Sequence, residues 1–195
     1  MYIKVNRRKN PKDVKRVPKT TIVIFLLSFV IIVMVGVMLL TLALVPSLVI
    51  GTSMEPTFNN YDFIWVNTVA YGELSPVRGD YVVFSSKKGL ELSRSINPDT
   101  RIGHYVKRVV GVRGDRVEIE GNKLKINGEI LEEDYIQGST VGEVDITVSE
   151  GNVFVLGDNR ENSLDSRELG EIDINKIEGK VVFRLFPLKG IGAIN

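Results

Sequence analysis

Val117-Glu118-Ile119-Glu120-Gly121-Asn122-Lys123-Leu124-Lys125-Ile126 alternates apolar and charged side chains on both sides of a Gly-Asn pair. A period of two puts Val117, Ile119, Leu124 and Ile126 on one face and the four charges on the other. With Gly-Asn as the turn, the stretch predicts an antiparallel hairpin with one wet face. The same period runs through Tyr61-Asp62-Phe63-Ile64-Trp65-Val66, Tyr81-Val82-Val83-Phe84 and Gly179-Lys180-Val181-Val182-Phe183, all rich in β-branched and aromatic residues. Gly-Asp pairs at 79–80, 114–115 and 157–158 each sit beside such a run, where an Asp capping its own turn accounts for them. The expected fold is therefore mainly β: an antiparallel β-sheet body with a small β-hairpin lobe and little helix. Residues 47–111 and 156–195 would build the core, and 112–155 would be the inserted lobe. Ser163–Leu169 or Ile172–Ile177 would supply a short helical turn.

Upstream of the strands the composition changes. From Thr20 to Met54 no side chain is formally charged, a run of 35 residues, and Thr21 to Leu44 is almost wholly apolar. Crossing a hydrocarbon core takes roughly 20 such residues, so residues 20–46 are expected to form one transmembrane helix ending at Pro46. A cleavable leader would have an apolar region of roughly 7–15 residues and a small-residue site after it, and this run is too long. Residues 1–19 carry eight Lys/Arg and one acid, leaving 17 basic and 23 acidic residues for the rest of the 195. Basic flanks stay inside, so the tail is expected in the cytoplasm, against an anionic lipid bilayer, and the body outside the cell membrane. A nucleic-acid-binding arm would not need an apolar segment directly behind it.

The absence of cysteine excludes disulfides, thiol nucleophiles and Cys-ligated zinc. His104 is the single histidine, so no metal centre is expected, and no cofactor either. A Ser-His-Asp triad would have to use His104, three residues from Lys107. An odd separation along a strand places the two on opposite faces, so both cannot reach one serine. Lysine can replace histidine as the base, provided its amine is neutral. An exposed lysine titrates near ~10.4; lowering that to ~8 costs about 3 kcal/mol, which apolar burial can impose. Tyr105-Val106 before Lys107 and Val109-Val110-Gly111 after it supply such surroundings. Ser85-Ser86-Lys87-Lys88 fits an S-x-x-K pattern, but that motif needs a helix, and this polar stretch reads as a loop.

Four blocks occur in order: Gly51-Thr52-Ser53-Met54-Glu55-Pro56-Thr57, Gly79-Asp80-Tyr81-Val82-Val83-Phe84, Lys107-Arg108-Val109-Val110-Gly111-Val112-Arg113-Gly114-Asp115, and Gly157-Asp158-Asn159-Arg160-Glu161-Asn162-Ser163-Leu164-Asp165-Ser166-Arg167. Together they closely resemble bacterial type I signal peptidases, the membrane-bound Ser-Lys enzymes that remove signal peptides from exported preproteins. The resemblance runs over about residues 20–187, and the length and single anchor look like the compact form found in Gram-positive bacteria. It implies Ser53 as nucleophile, Lys107 as general base, and Ser163 as the hydroxyl that hydrogen-bonds and orients the lysine amine. Asp165, Arg167 and Arg108 would form a supporting charge network, with Asp158 bracing the same wall. It also implies shallow pockets for small residues at the first and third positions before the cut, with Met54, Val82 and Phe84 as walls. Equally, those three read as ordinary core. The Ser53 N–H is one oxyanion donor; relatives that use a hydroxyl two residues earlier have no counterpart here, where Gly51 stands. Thr52 points away by alternation, so the second donor is not readable.

An extended substrate is expected along exposed strand edges. Phe58, Tyr61, Phe63 and Trp65 are candidates for an apolar surface near the bilayer, although alternation assigns some of them to the core. Three alternatives to a working peptidase are an idle relative assisting assembly of surface structures, an autocleaving repressor-type protease and a non-enzymatic anchored β domain. The Ser53–Lys107 pair argues against the first, the membrane helix in place of a DNA-binding region against the second, and the four-block match against the third.

Overall fold

A computed structural model describes residues 18–72, 74–96 and 103–193. Most of the basic tail lies outside the described residues. The chain divides into two units, residues 1–42 and 43–195. The first contains almost all of α1 (Lys19–Ala43), which is long and apolar enough to cross a membrane. Its Phe25, Ile32 and Leu39 side chains are exposed, as a lipid-facing helix requires.

The helix stops before Pro46. Leu44–Leu48 is strand β1, in which Pro46 pairs opposite Trp65. Proline is tolerated there because β1 is the outermost strand of its sheet and no neighbour needs the missing N–H. In chain order there follow β2 (Phe63–Asn67), β3 (Tyr81–Ser85), α2 (Lys87–Ile96), β4 (His104–Val112), β5 (Arg116–Glu120), β6 (Lys123–Ile126) and β7 (Glu129–Ile130). Next come β8 (Val144–Thr147), β9 (Asn152–Leu156), α3 (Ser166–Leu169), β10 (Ile172–Asp173), β11 (Ile177–Phe186) and β12 (Gly192–Ala193). The fold is mainly β. One antiparallel sheet runs β1-β2-β11-β3-β4-β9-β10, with β12 on β11; the second runs β7-β6-β5-β8.

The hairpin read from residues 117–126 is β5–β6, with Val117 opposite Ile126 and Ile119 opposite Leu124. Gly121 (φ 58°) and Asn122 (φ 63°) both take the left-handed conformation that a two-residue turn of this hand requires. All four alternating apolar side chains are buried, packed with Val110, Phe154 and Leu156 of β4 and β9. Gly111 permits that contact: a Cβ there would lie 2.6 Å from Val117 Cγ2.

Two of the Gly-Asp pairs are turn caps. Asp80 accepts from Val77 N, and Asp115 from Val112 N. The third is different, since Asp158 is fully buried in an ion pair. The short helix expected near 163–169 is α3, and Ile174–Lys176 forms a 3₁₀ turn. The stretch read as a loop at Ser85–Lys88 instead opens α2. Ser86 Oγ accepts from Gly89 N at its start, and Gly89 sits under the Tyr105 ring, where a Cβ would be 2.8 Å from Cε2. Of the four aromatics proposed for the surface, Phe58 is buried core, Tyr61 and Phe63 are exposed, and Trp65 is half-buried.

Candidate active site

Ser53 lies on the loop between β1 and β2. Met54 and Phe58, both buried, anchor that loop from below, and Phe58 N donates to Met54 O at 2.8 Å. Gly51 has φ +108°, a conformation L side chains rarely adopt, and its N–H donates to Asn60 Oδ1 at 2.9 Å. From the other side, Asn159 N donates to Ser53 O at 3.1 Å. Asn159 Nδ2 donates to Thr52 O at 3.1 Å, and Asn162 Nδ2 to Thr52 Oγ1 at 2.7 Å.

Lys107 comes from β4, where it pairs opposite Val82. It is 2% exposed, and its Nζ donates to Ser53 Oγ at 2.6 Å and to Val106 O at 3.0 Å. Burial pushes its amine down to about 8; Asp165 and Asp158 pull the other way, and Arg167 helps to lower it. A neutral amine at hydrogen-bond distance can accept the hydroxyl proton, which is the requirement for a Ser-Lys nucleophile.

The surrounding charges form two ion pairs. Arg108 donates to both carboxylate oxygens of Asp158, at 2.9 and 2.7 Å, and its guanidinium stacks 3.5 Å from the Tyr135 ring centroid and 4.4 Å from that of Tyr81. Thr57 also donates to Asp158. Arg167 donates to both oxygens of Asp165 at 2.9 Å. Asp165 in addition caps α3 and accepts from Gly157 N at 3.0 Å. Arg160, Asn159 and Thr57 escaped the sequence reading, although all three stand inside the quoted motif blocks. Arg160 is 1% exposed, paired with Glu133 and donating to Thr140 Oγ1 and Gly157 O.

The expectation for Ser163 is corrected. Its Oγ is buried and has no hydrogen-bond partner among the described residues, so it does not bond the lysine amine in this structure. It packs instead against Gly157, whose missing side chain leaves room for it: a Cβ would meet Ser163 Oγ and Ser53 O. His104 is exposed, with Nδ1 2.8 Å from Glu178 Oε2, while Lys107 occupies Ser53. Among the described residues no group of three or more His, Asp or Glu side chains could hold a metal ion.

A cleft of about 320 Å³ opens in front of the pair, lined by Ser47–Gly51, Ser53, Met54, Ile64, Val83 and His104–Lys107, with Glu178. Met54 lines this cleft. Val82 and Phe84 do not line it: both are buried in the opposite core cluster with Val109 and Val155, and Val83 between them faces the cleft. The register explains a free edge here. Residues 104–108 pair with β3, whereas β9 reaches β4 only from Arg108 onward, opposite Leu156. Among the described residues the backbone of His104–Lys107 therefore has one side without a strand partner.

The family model described as "Signal peptidase, peptidase S26" matches residues 22–186. Signal peptidase IB of Staphylococcus aureus (strain COL) is 36% identical, over 82% of this chain and 85% of that protein. Signal peptidase I of Bacillus licheniformis is also 36% identical, over 84% of this chain and 88% of its own. A crystal structure of a signal peptidase I from Enterococcus faecalis V583 aligns at 30% identity and TM-score 0.44, covering 54% of this chain and 96% of that one. With the family model covering most of its length, the chain belongs to the signal peptidase family, peptidase S26.

Proposed function

We propose that this signal peptidase, a serine endopeptidase by family, cuts exported preproteins with a Ser53–Lys107 dyad held on the outer side of the cell membrane. The observation that carries the reading is the buried Lys107 amine, lowered to about 8, at 2.6 Å from Ser53 Oγ. In its neutral form Lys107 takes the Ser53 hydroxyl proton as Oγ attacks the scissile carbonyl carbon. The Ser53 N–H, which has no partner among the described residues, is free to receive the oxyanion. Lys107 then hands its proton to the departing amine, leaving the signal peptide esterified to Ser53. A water, deprotonated by the same lysine, attacks the ester and frees the signal peptide.

Substrate binding follows from the unpaired edge of His104–Lys107. An extended precursor segment can add there as a strand, taking its main-chain hydrogen bonds from β4. Met54, Ile64, Val83 and Val106 then supply apolar walls that suit small side chains. The apolar helix ends only ten residues before Ser53, which favours a substrate held in the same membrane. Eight basic residues before Thr20 favour a cytoplasmic tail and an extracytoplasmic body.

The test is cleavage of a precursor whose signal ends in Ala-x-Ala by the detergent-solubilised chain, beside Ser53→Ala and Lys107→Ala. Wild type should cut and both variants should not; equal cutting by either variant refutes the dyad. The kcat/KM should rise with pH through about 8 as Lys107 loses its proton, and level off above. Added protease on intact cells should remove the body and spare the tail. Nothing at the site favours an idle assembly factor over an active peptidase.

A further inference from the structure

We propose that Asn159 is a positioning residue for the oxyanion hole, acting by fixing the plane of the Thr52–Ser53 peptide bond. The proposal rests on Ser53 as nucleophile. Its origin is a feature that a Ser-Lys pair alone does not need: a buried asparagine, 8% exposed, whose carboxamide is committed to the backbone of the nucleophile loop.

The Thr52 carbonyl and the Ser53 N–H belong to one peptide unit. Among the described residues the cis bonds are Glu55–Pro56 and Phe186–Pro187, so this unit is trans. In a planar trans amide the C=O and N–H point in opposite directions. Asn159 Nδ2 donates to Thr52 O, and Asn159 N donates to Ser53 O. Thr52 O also accepts from Glu55 N at 3.1 Å within its own turn, so the Asn159 carboxamide adds the outside hold on that carbonyl, and the same residue holds Ser53 O. With Thr52 O turned toward Asn159, the Ser53 N–H must face away from it, and this N–H has no partner among the described residues. A hydrogen bond accepted by a carbonyl also polarises its amide and strengthens the N–H as a donor.

Asn159 is itself fixed. Arg160 N donates to Gln137 O and Gln137 N to Asp158 O, tying the 158–160 segment to the lobe side of the body. Asp158 on one flank and Arg160 on the other are buried in ion pairs. The carboxamide therefore approaches the nucleophile loop from a rigid wall. Because an oxyanion donor has to be aimed before the charge develops, rigidity at this point bears on rate. Serine and lysine place the proton; Asn159 sets the direction of the N–H.

The experiment compares wild type with Asn159→Ala and Asn159→Asp in the full chain. Aspartate keeps the shape and removes the donor. Readouts are kcat and KM on a peptide substrate, the pH dependence of kcat/KM, and affinity for a peptide boronate, whose tetrahedral adduct on Ser53 carries an oxyanion-like oxygen. Loss of a whole oxyanion donor costs about 10²–10³ in rate, so a misaimed one should cost roughly 10–100-fold in kcat. The same factor should appear in boronate affinity, with KM within about threefold. In Asn159→Ala, which adds no charge, the rise in activity should stay at the wild-type pH. Unchanged kcat, a loss confined to KM, or a shifted pH limb in the alanine variant would overturn the proposal. So would loss of cooperative thermal unfolding in both variants, which would give Asn159 a role in the fold alone. Ser53→Ala separates the two levels: if it cuts, the dyad reading falls; if it is dead while Asn159→Ala is fully active, only the positioning role falls.

Discussion

Replacing Lys107 with methionine should abolish cleavage and make the protein more stable at neutral pH. The side chain is 2% exposed and its amine is lowered from 10.5 to about 8, a difference of about 2.5 units. At about 1.36 kcal/mol per unit, keeping the ammonium in that site costs the fold about 3 kcal/mol at pH 7. The sign follows from proton counts. Between pH 8 and 10.5 the unfolded chain binds more protons at this lysine than the folded chain does. Stability from this group is therefore fully present above 10.5 and lost as pH falls through 8. Methionine has nearly the same length and no charge to desolvate; against its gain stands the hydrogen bond from Lys107 to Ser53, worth about 1 kcal/mol. The net expectation is a variant more stable by about 2 kcal/mol at pH 7, an advantage gone or reversed by pH 10. Urea unfolding of the full chain in detergent at the two pH values, wild type beside Lys107→Met, measures this difference and cancels every other titrating group. If the variant is no more stable at pH 7, or keeps its full advantage at pH 10, Lys107 is not a desolvated amine and the account of its reactivity fails.

The same electrostatics predict opposite shifts on the two flanks. Asp158→Asn removes a charge that raises the Lys107 pKa, so the activity limb should move to lower pH; Arg167→Gln removes one that lowers it, so the limb should move up. An unmoved limb in both, read from kcat/KM profiles, would remove these pairs from the lysine's field. Asp158→Asn also leaves Arg108 charged and buried without its partner, which should cost about 3–5 kcal/mol and lower the thermal midpoint by roughly 10 °C. Gly157→Ala would drive a methyl to 2.5 Å from Ser53 O and into Ser163; a kcat loss of about tenfold or more, with about 1–3 kcal/mol of stability, is expected, and wild-type behaviour would mean the wall yields freely. His104→Ala should stay within about twofold of wild-type kcat/KM, because an exposed His–Glu contact contributes little. A large loss would reopen the histidine as a base.

The parts legible in sequence were those set by local chemistry. The 117–126 hairpin could be read because side-chain parity and a Gly-Asn turn suffice to define it. That Lys107 is buried could be anticipated from its apolar neighbours Tyr105-Val106 and Val109-Val110, and its amine lies 2.6 Å from Ser53 Oγ. What failed depended on partners far away in the chain. Val82, Val83 and Phe84 all read as strand, but which parity faces the cleft is decided by where Met54 and Val106 pack, and the choice of Val82 and Phe84 was off by one residue. Pro46 looked like a helix stop, yet an edge strand accepts proline as easily, and only the pairing with β2 distinguishes them. Helix α2 was missed because Gly89 weakens its propensity, while the Tyr105 ring that makes glycine necessary there belongs to another strand.

The buried pairs explain why a lowered lysine survives beside two carboxylates. Left alone, Asp158 or Asp165 would stabilise the ammonium and hold Lys107 protonated, since both raise its pKa. Each is instead held by two nitrogens of its own arginine, Asp158 by Arg108 and Asp165 by Arg167. The arginines bring compensating charge, and Arg167 itself pushes the lysine down. Bidentate geometry matters, because it occupies both oxygens and prevents either carboxylate from turning toward the amine. Burial can then govern the lysine: the buried arginines have their desolvation offset by carboxylate partners, and the ion pairs and the capping of α3 hold the wall around Lys107. With Ser53 and Lys107 as the proposed dyad, the cost to the fold and the reactivity of Ser53 have one physical source, which is why stability and activity should respond together, and in opposite directions, to a single change at Lys107.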